Sequence, residues 1–290
     1  LRGQGLFNIT LRTLEEYGIR PSRRLGQCYV IDPELVACIL DSAKIEHDEV
    51  VMEIGAGTGN LTKDLAEVAK KVIAVEKDIN AARALRDLFP NEDKVEVVND
   101  DILLMDLPRV DKIVSNLPYS ISTPITFKLL FYGNFKSAVL TYQKEVADRL
   151  VAKPGGRDYS RLSVTASLLA EIKKVRNFPP DSFYPRPKVD STVVIMGKRS
   201  REEVDWRFLD TTLKALFSQR RRTLRKALET YSKVKKAKFE DVARIVDEEL
   251  MDLRVFELQP SDFVGLSESL KELSIALAPG NSDGSSADRI

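Results

Sequence analysis

Histidine is almost missing from this 290-residue chain, His47 being the only one, and cysteine is limited to Cys28 and Cys38. A Ser-His-Asp triad therefore has little to draw on, and a Cys/His zinc cluster has too few ligands, so no metal is implied. Two cysteines outside any Cys-x-x-Cys pattern suit a reducing compartment, and Cys38, on the amphipathic run Glu34 to Leu40, reads as a small buried hydrophobe. Long apolar runs are absent as well. No run approaches a membrane span, and no apolar core follows a basic flank near Leu1, so no membrane is expected and the cytoplasm is the expected location. An excess of one charge sign is also lacking: 45 basic and 44 acidic residues leave +1, so what matters is where the charges cluster. With 43% hydrophobic and 31% charged residues, the composition is that of a globular protein with room for one large domain and a smaller one.

The strongest local pattern is a strand running into a glycine turn. Val50 to Ile54 is an apolar-rich run with Glu53 near its end, and Gly55-Ala56-Gly57-Thr58-Gly59-Asn60 then leads into a helical pattern from Leu61 to about Ala69. Val72 to Val75 is the next strand and ends at Glu76, 21 residues beyond Gly55. Strand, glycine turn, helix, strand and acid make a nucleotide-binding half of a doubly wound α/β sheet, with the acid placed to accept from ribose hydroxyls. A dehydrogenase fingerprint wants glycine where Asn60 stands. The Glu-x-Gly-x-Gly-x-Gly spacing instead resembles that of class I methyltransferases, whose ligand is S-adenosylmethionine.

The alternation continues as such a Rossmann-like sheet requires. A helix is predicted from about Ile79 to Leu88, stopped by Pro90; Val95 to Val98 is a strand leading to Asp101 and Ile102; and Lys112 to Ser115 leads into Asn116-Leu117-Pro118-Tyr119. Ligands of open α/β sheets lie beyond the carboxyl ends of the strands, so Gly55, Glu76, Asp101 and Asn116 should line one crevice. Asp101 could accept from an adenine amine with Ile102 against the ring, or it could merely cap the turn that follows. Pro118 keeps the backbone out of helix where the strand opens. There the Asn116 amide oxygen and the Leu117 carbonyl could each accept from the exocyclic amine of a flat base, with Tyr119 stacked on it. The bland alternative is a strand-end turn with a packed tyrosine.

On either side of this core the elements are shorter. Leu11 to Tyr17 is a predicted helix closed by Gly18, Arg23 and Arg24 could touch phosphate or be solvated, and Asp32-Pro33 opens a helix running to about Ala43. Ser137 to Thr141 is a predicted strand, Lys144 to Val151 and Leu162 to Ala170 predicted helices, Phe178 to Pro187 a proline-laden loop, and Thr192 to Ile195 a strand. Composition turns to helical periodicity at Lys198, giving expected segments 1–198, an all-helical 199–278, and a tail 279–290 expected to be disordered. Leu209, Leu213, Leu216, Phe217, Leu224 and Leu228 repeat at helical spacing with a break near Ser218, and helices near Phe239 to Glu249 and Ser261 to Leu277 follow. Arg220, Arg221, Arg222, Arg225 and Lys226, followed by Lys233, Lys235, Lys236 and Lys238, have few acids between them. This is either a solvated face or a surface for an RNA backbone, and the density of charge favours RNA.

Four motifs, Leu25-Gly26-Gln27-Cys28-Tyr29-Val30, Glu53-Ile54-Gly55-Ala56-Gly57, Asn116-Leu117-Pro118-Tyr119 and the run Phe183 to Ser191, stand in the order found in KsgA/Dim-type ribosomal RNA adenine dimethyltransferases. From about Pro21 to Leu273 the chain resembles that family, above all its archaeal and eukaryotic branch. The resemblance implies transfer of two methyl groups from S-adenosylmethionine to N6 of each of two adjacent adenosines, in the hairpin near the 3′ end of small-subunit rRNA. It also implies that Gln27, Cys28 and Val30 close over the cofactor and that Phe183 faces Tyr119 across a flipped adenine. With the residues placed by pattern, the expected cofactor set gains Gly55, Gly57, Glu76, Asp101, Ile102 and Asn116. The expected RNA set is Tyr119, Phe183, Arg221, Arg222 and Arg225, and the expected partner is an immature small ribosomal subunit met by a monomer.

The chain departs from the family's usual pattern at Cys28, commonly Asn, at Tyr29 and Val30, commonly Phe and Leu, and at Ala56, commonly Pro. A bond that asparagine would make is thus lost or supplied by backbone. A mechanism follows from chemistry alone: the adenine N6 lone pair is delocalised, while a sulfonium methyl is already activated. Position and polarisation, rather than a general base, should carry catalysis. A DNA adenine methyltransferase and a binding factor built on the same fold are the competing readings.

Overall fold

The computed structural model describes residues 2–22, 26–199 and 204–276; Arg23, Arg24, Leu25 and the 279–290 tail lie outside them. The chain forms two compact units, Leu1–Val151 with Ala166–Ser200, and Ala152–Thr165 with Arg201–Ile290. The composition change at Lys198 therefore marks one junction, but an earlier segment, 152–165, groups with the second unit.

In the first unit the elements are α1 (Arg2–Glu16), β1 (Tyr29–Val30), α2 (Pro33–Ala43), β2 (Val50–Ile54), α3 (Asn60–Val68), β3 (Lys71–Glu76), α4 (Ile79–Leu88), β4 (Val95–Asn99) and β5 (Lys112–Asn116). They are followed by α5 (Ser122–Tyr132), β6 (Ser137–Gln143), α6 (Lys144–Leu150), α7 (Arg161–Leu169), whose first five residues group with the second unit, β7 (Ala170–Phe178), β8 (Phe183–Tyr184) and β9 (Ser191–Lys198). Caps set the helix starts. Asp32, in extended backbone, accepts from the Glu34 N–H with Pro33 in the first turn, and Asp78 accepts from the N–H groups of Asn80 and Ala81. From α2, Leu35, Val36, Ile39 and Ala43 are buried, a 3.6-residue stripe laid against the sheet.

The main sheet has the order β4-β3-β2-β5-β6-β9-β7. Strands β4 to β6 pair in parallel, β9 runs antiparallel to β6, and β7 antiparallel to β9. The chain winds outward from β2 through β3 to β4, then returns to the other side of β2 with β5. That reversal splays the connections apart and opens a crevice at the carboxyl ends of β2 and β5. Buried Val51, Met52, Ile54, Val72, Ala74, Ile113, Val114 and Leu140 fill the sheet from both faces.

Several elements differ from the sequence expectation. The first helix begins at Arg2 rather than Leu11. Strand β7 was not anticipated, because only its two ends are buried while Glu171, Lys173, Lys174, Val175 and Arg176 face solvent. A charged edge strand carries no apolar alternation to detect, and its charges discourage pairing with another chain. The proline loop hides β8, which pairs antiparallel with β1 through Tyr29 with Tyr184 and Val30 with Phe183.

The second unit continues with α8 (Trp206–Phe217), α9 (Leu224–Lys235), α10 (Phe239–Arg244), α11 (Glu248–Met251) and α12 (Pro260–Ala276). Leu209, Leu213, Leu216, Leu224, Leu228, Phe263, Leu266 and Leu270 are buried, and the Phe217 and Phe263 rings stack at 5.3 Å. The single helix expected over Phe239 to Glu249 is two, because the Asp247 side chain accepts from the Glu249 N–H and starts a new one. No described helix is long and apolar enough to cross a membrane.

Removing the α4 cap by Asp78→Ala is expected to cost about 1 kcal/mol of stability. Urea unfolding of the variant beside the wild type measures it.

Candidate active site

The crevice at the switch point is walled by residues from three segments far apart in sequence, Gln27 to Val30, Glu53 to Thr58 with Asn60 and Leu61, and Asn116, Pro118, Ser120 and Ile121, together with Glu76 and the run Asp100 to Ile102. Counting its open mouth it encloses about 940 Å³. Every residue expected at a cofactor, Gln27, Cys28, Val30, Gly55, Gly57, Glu76, Asp101, Ile102 and Asn116, is among its walls.

Two glycines permit this assembly. Gly26 has φ +64, and a Cβ on it would fall 2.5 Å from the Ser120 backbone nitrogen. Its carbonyl instead accepts from the Tyr119 N–H at 3.2 Å, so the Gly26 to Val30 segment lies directly on the Asn116 to Tyr119 turn. Gly57, at φ +59, would drive a Cβ to 2.9 Å from the Tyr29 ring, and its N–H donates to Glu76 Oε2 at 2.8 Å. Asn60, where a dehydrogenase has glycine, uses both amide hydrogens structurally, donating to the Val30 carbonyl at 2.8 Å and to Thr10 Oγ1 at 2.7 Å. That side chain ties α1 and β1 to the start of α3.

At the centre, Asn116 Nδ2 donates to the Cys28 carbonyl at 2.7 Å. The bond fixes which way the amide points. Its Oδ1 is buried and has no hydrogen-bond partner among the described residues. A buried acceptor without a partner costs about 1–3 kcal/mol, so this oxygen would gain from a donor supplied from outside the chain. Backbone, not the side chain, is thus what position 28 contributes here. Burial pushes the Cys28 thiol up to about 11, which keeps it neutral.

The acids are held differently from one another. Glu76 is 6% exposed, with Oε2 taken by Gly57 N–H and Oε1 by Asp78 N–H at 2.8 Å; burial raises its pKa and the backbone donors oppose the rise. Asp101 is lowered by the bond from Lys77 Nζ at 2.7 Å, and its other oxygen accepts from the Leu103 N–H at 2.9 Å. It therefore caps its turn and also walls the crevice. Glu53 is pushed up to about 8 by complete burial, which the Thr62 hydroxyl at 2.6 Å only partly offsets.

Six candidates stand elsewhere. Leu117 is buried at 1%, leaving its carbonyl as the group of interest. Tyr119 is half-buried and its hydroxyl bonds Ser191 Oγ at 2.6 Å. Burial raises its pKa, so it stays a phenol. Phe183, expected to face Tyr119 across a base, is 2% exposed within the core around Leu35 and Val193, where the pairing of β8 with β1 holds it, and its ring meets Tyr119 edge-on at 6.5 Å and 66°. Arg225 is ion-paired with Glu248, while Arg221 and Arg222 are exposed on the second unit.

Sequence reasoning missed most of the bonds that brace these groups. Lys128 Nζ, from α5, donates to the carbonyls of Ile102, at 2.8 Å, and Met105, and so pins the turn that carries Asp101 and Ile102. Gln27 Oε1 accepts from the Ser22 N–H at 2.9 Å and Asn99 Nδ2 from the end of β4 donates to the Glu76 carbonyl at 2.8 Å. Among these only Gln27 lies in a motif; the rest carry no local signal.

The reversed parallel sheet, the glycine turn at its switch point and the acid ending β3 define a class I methyltransferase. Its family is narrower. The model of the family described as "Ribosomal RNA adenine dimethylase" matches residues 20–268, and the chain belongs to that family of S-adenosylmethionine-dependent methyltransferases. It is 42% identical to a Methanothermobacter thermautotrophicus protein named "Probable ribosomal RNA small subunit methyltransferase A", covering 93% of this chain and 98% of that one. A Thermococcus onnurineus protein of the same name is 39% identical over 89% and 95%. Among solved structures, a dimethyladenosine transferase from Plasmodium falciparum superposes with TM-score 0.72 and 30% identity over 83% of this chain and 96% of that one. The 23S rRNA methyltransferase ErmE superposes at 0.60 with 26% identity over 84% and 99%.

Because the folded pKa of Glu53 lies above its unfolded value near 4.5, the unfolded chain ionises first as pH rises, and stability is lost between about pH 4.5 and 8. Glu53→Gln removes that loss. The variant is expected to gain on the wild type as pH rises, by roughly 3 kcal/mol at pH 7, each pKa unit being worth about 1.4 kcal/mol. Denaturant titrations at pH 5 and pH 8 check the sign.

Proposed function

We propose that this protein transfers methyl groups from S-adenosylmethionine to N6 of adenosine in small-subunit ribosomal RNA, two to each base. The finer reading is two adjacent adenosines of the 3′-terminal hairpin, presented in an immature subunit to a monomer in the cytoplasm. The observation that carries it is the buried, unpartnered Oδ1 of Asn116, held in its orientation by the bond to the Cys28 carbonyl.

The crevice fits the cofactor. Gly57 lets the Tyr29 ring pack against the glycine turn, Glu76 keeps lone pairs for ribose hydroxyls, and Asp101 with Ile102 offers an acceptor and an apolar face for an adenine. When bound, S-adenosylmethionine supplies an activated methyl on a sulfonium, which needs no acid to leave.

The chain's own residues do the rest. Asn116 Oδ1 and the Leu117 carbonyl accept the two hydrogens of the target amine, draw density toward nitrogen and hold its lone pair in line. Pro118 sets the backbone turn that brings those two oxygens together, and Tyr119 supplies the face on which a flipped base stacks, its ring fixed by the Ser191 bond. No side chain here is a strong base at neutral pH: burial holds Glu53, Cys28 and Tyr119 in their protonated forms. None is needed, since the methylated amine becomes acidic and can lose its proton to water. After one methyl a single hydrogen remains, so one of the two acceptors lets go before the second transfer.

Asn116→Ala is expected to lower methyl transfer to unmodified small subunits at least 100-fold while cofactor affinity stays within about tenfold. Tritium transfer with nucleoside mass analysis, paired with calorimetry on the cofactor, measures both. Wild-type turnover in the variant, or a product other than N6,N6-dimethyladenosine from the wild type, would overturn the reading.

A further inference from the structure

The Tyr29 hydroxyl shares the condition of Asn116 Oδ1: it belongs to a residue in the crevice wall, it is buried, and it has no hydrogen-bond partner among the described residues. The target amine answers the asparagine oxygen. Nothing in the proposed transfer answers the phenol. Phenylalanine, the family's usual residue here, would fill the same volume and strand no donor, so the hydroxyl is a burden on the fold unless something meets it. Tyr29 is only 7% exposed, and a tyrosine buried that far normally has a partner for its hydroxyl.

The ring is held in place from several directions. It packs with Leu14, Ile19, Ala81 and Ala84, whose side chains are hydrocarbon and offer the hydroxyl no acceptor. Pairing of β1 with β8 sets Tyr29 opposite Tyr184. Gly57 admits one edge of the ring, since a Cβ there would fall 2.9 Å from Tyr29 Cε1, and the same glycine donates its N–H to Glu76 Oε2 at 2.8 Å. Ring, glycine and acid therefore stand beside one another. Burial, and after it the Glu76 and Asp78 carboxylates, raises the pKa of the phenol, which stays a protonated donor. Its acceptor is not Glu76 itself. The two oxygens of that acid take the Gly57 and Asp78 N–H groups, and no hydrogen bond joins acid and phenol.

A hydroxyl supplied by a ligand suits both groups at once. When it donates to a remaining lone pair of Glu76, its own oxygen is left free to accept, and a phenol beside the acid is the donor that completes it. We propose that the Tyr29 hydroxyl donates to a ribose oxygen of S-adenosylmethionine, as a cofactor contact that works in a pair with Glu76. The inference rests on the reading that this crevice holds S-adenosylmethionine, and adds a residue to its ribose end. Because the bond forms only on binding, the hydroxyl weakens the empty protein and strengthens the loaded one.

The test is Tyr29→Phe in the full chain, which removes one oxygen and keeps the ring. Calorimetry follows binding of S-adenosylhomocysteine, which carries the same ribose and has no methyl to transfer, and of its 2′-deoxy and 3′-deoxy forms. Thermal melts follow the protein with and without ligand. The variant is expected to bind S-adenosylhomocysteine about 3- to 10-fold more weakly, while its melting midpoint without ligand equals or exceeds that of the wild type. With one of the deoxy forms the penalty should shrink below about twofold, since both changes then remove the same bond and do not add. Thr212→Val deletes a buried, partnerless hydroxyl from α8, outside the crevice, and is expected to leave the affinity within about 1.5-fold. Unchanged affinity in Tyr29→Phe would overturn the proposal. So would a full penalty with both deoxy forms, which puts the contact elsewhere on the ligand, or a lowered midpoint without ligand, which shows the hydroxyl bonded within the fold. A wild-type chain that binds no S-adenosylhomocysteine would overturn the cofactor reading and the contact with it.

Discussion

The hydrogen bond from Asn116 Nδ2 to the Cys28 carbonyl is the constraint on which the rest of the site depends. It decides which end of the amide faces the crevice, and an amide turned the other way would present a donor to an amine that is itself a donor. The bond exists because the Gly26 to Val30 segment can lie on the Asn116 to Tyr119 turn. That approach requires a glycine at position 26, the pairing of β1 with β8, and the grip of Asn60 on the Val30 carbonyl. One polar contact thus gathers strand β5, the start of α3 and the region before α2.

Burial sets the electrostatic character of the crevice. It keeps Glu53, Cys28 and Tyr119 in their neutral, protonated forms, while Glu76 and Asp101 are steadied by backbone N–H groups and, for Asp101, by Lys77. Such a site aims and polarises groups; it does not shuttle protons. The near absence of histidine from the chain is consistent with that chemistry, because nothing in the proposed transfer asks a side chain to titrate near neutral pH.

The second unit applies the same logic to charge on a surface. A basic side chain that reaches carbonyls, a ring or a carboxylate is satisfied by the fold, as Arg220 and Arg225 are. One such as Lys226 or Lys233, which lines an open cleft with Arg254, has no carboxylate partner among the described residues. Sequence composition counts both kinds together, and only the packing of α9 against the Leu253 to Val255 segment tells them apart.

How much could be read in advance follows from the range of the forces involved. The sequence by itself determined β2 through β5, the glycine turn, the cap at Asp32 and the Asn-Leu-Pro-Tyr segment, because alternation, capping and glycine spacing are local rules written in adjacent residues. It also determined which residues would meet at the crevice, since a doubly wound sheet puts strand ends together whatever the loops do. Only the tertiary structure decided that Phe183 turns into the core, that β7 forms an exposed charged edge, that Arg225 is answered by Glu248 and that Lys128 pins the Asp101 turn. Each of these depends on residues distant in the chain, 23 away for Arg225 and 26 for Lys128, and no local pattern encodes which distant group a side chain will meet once the chain has closed.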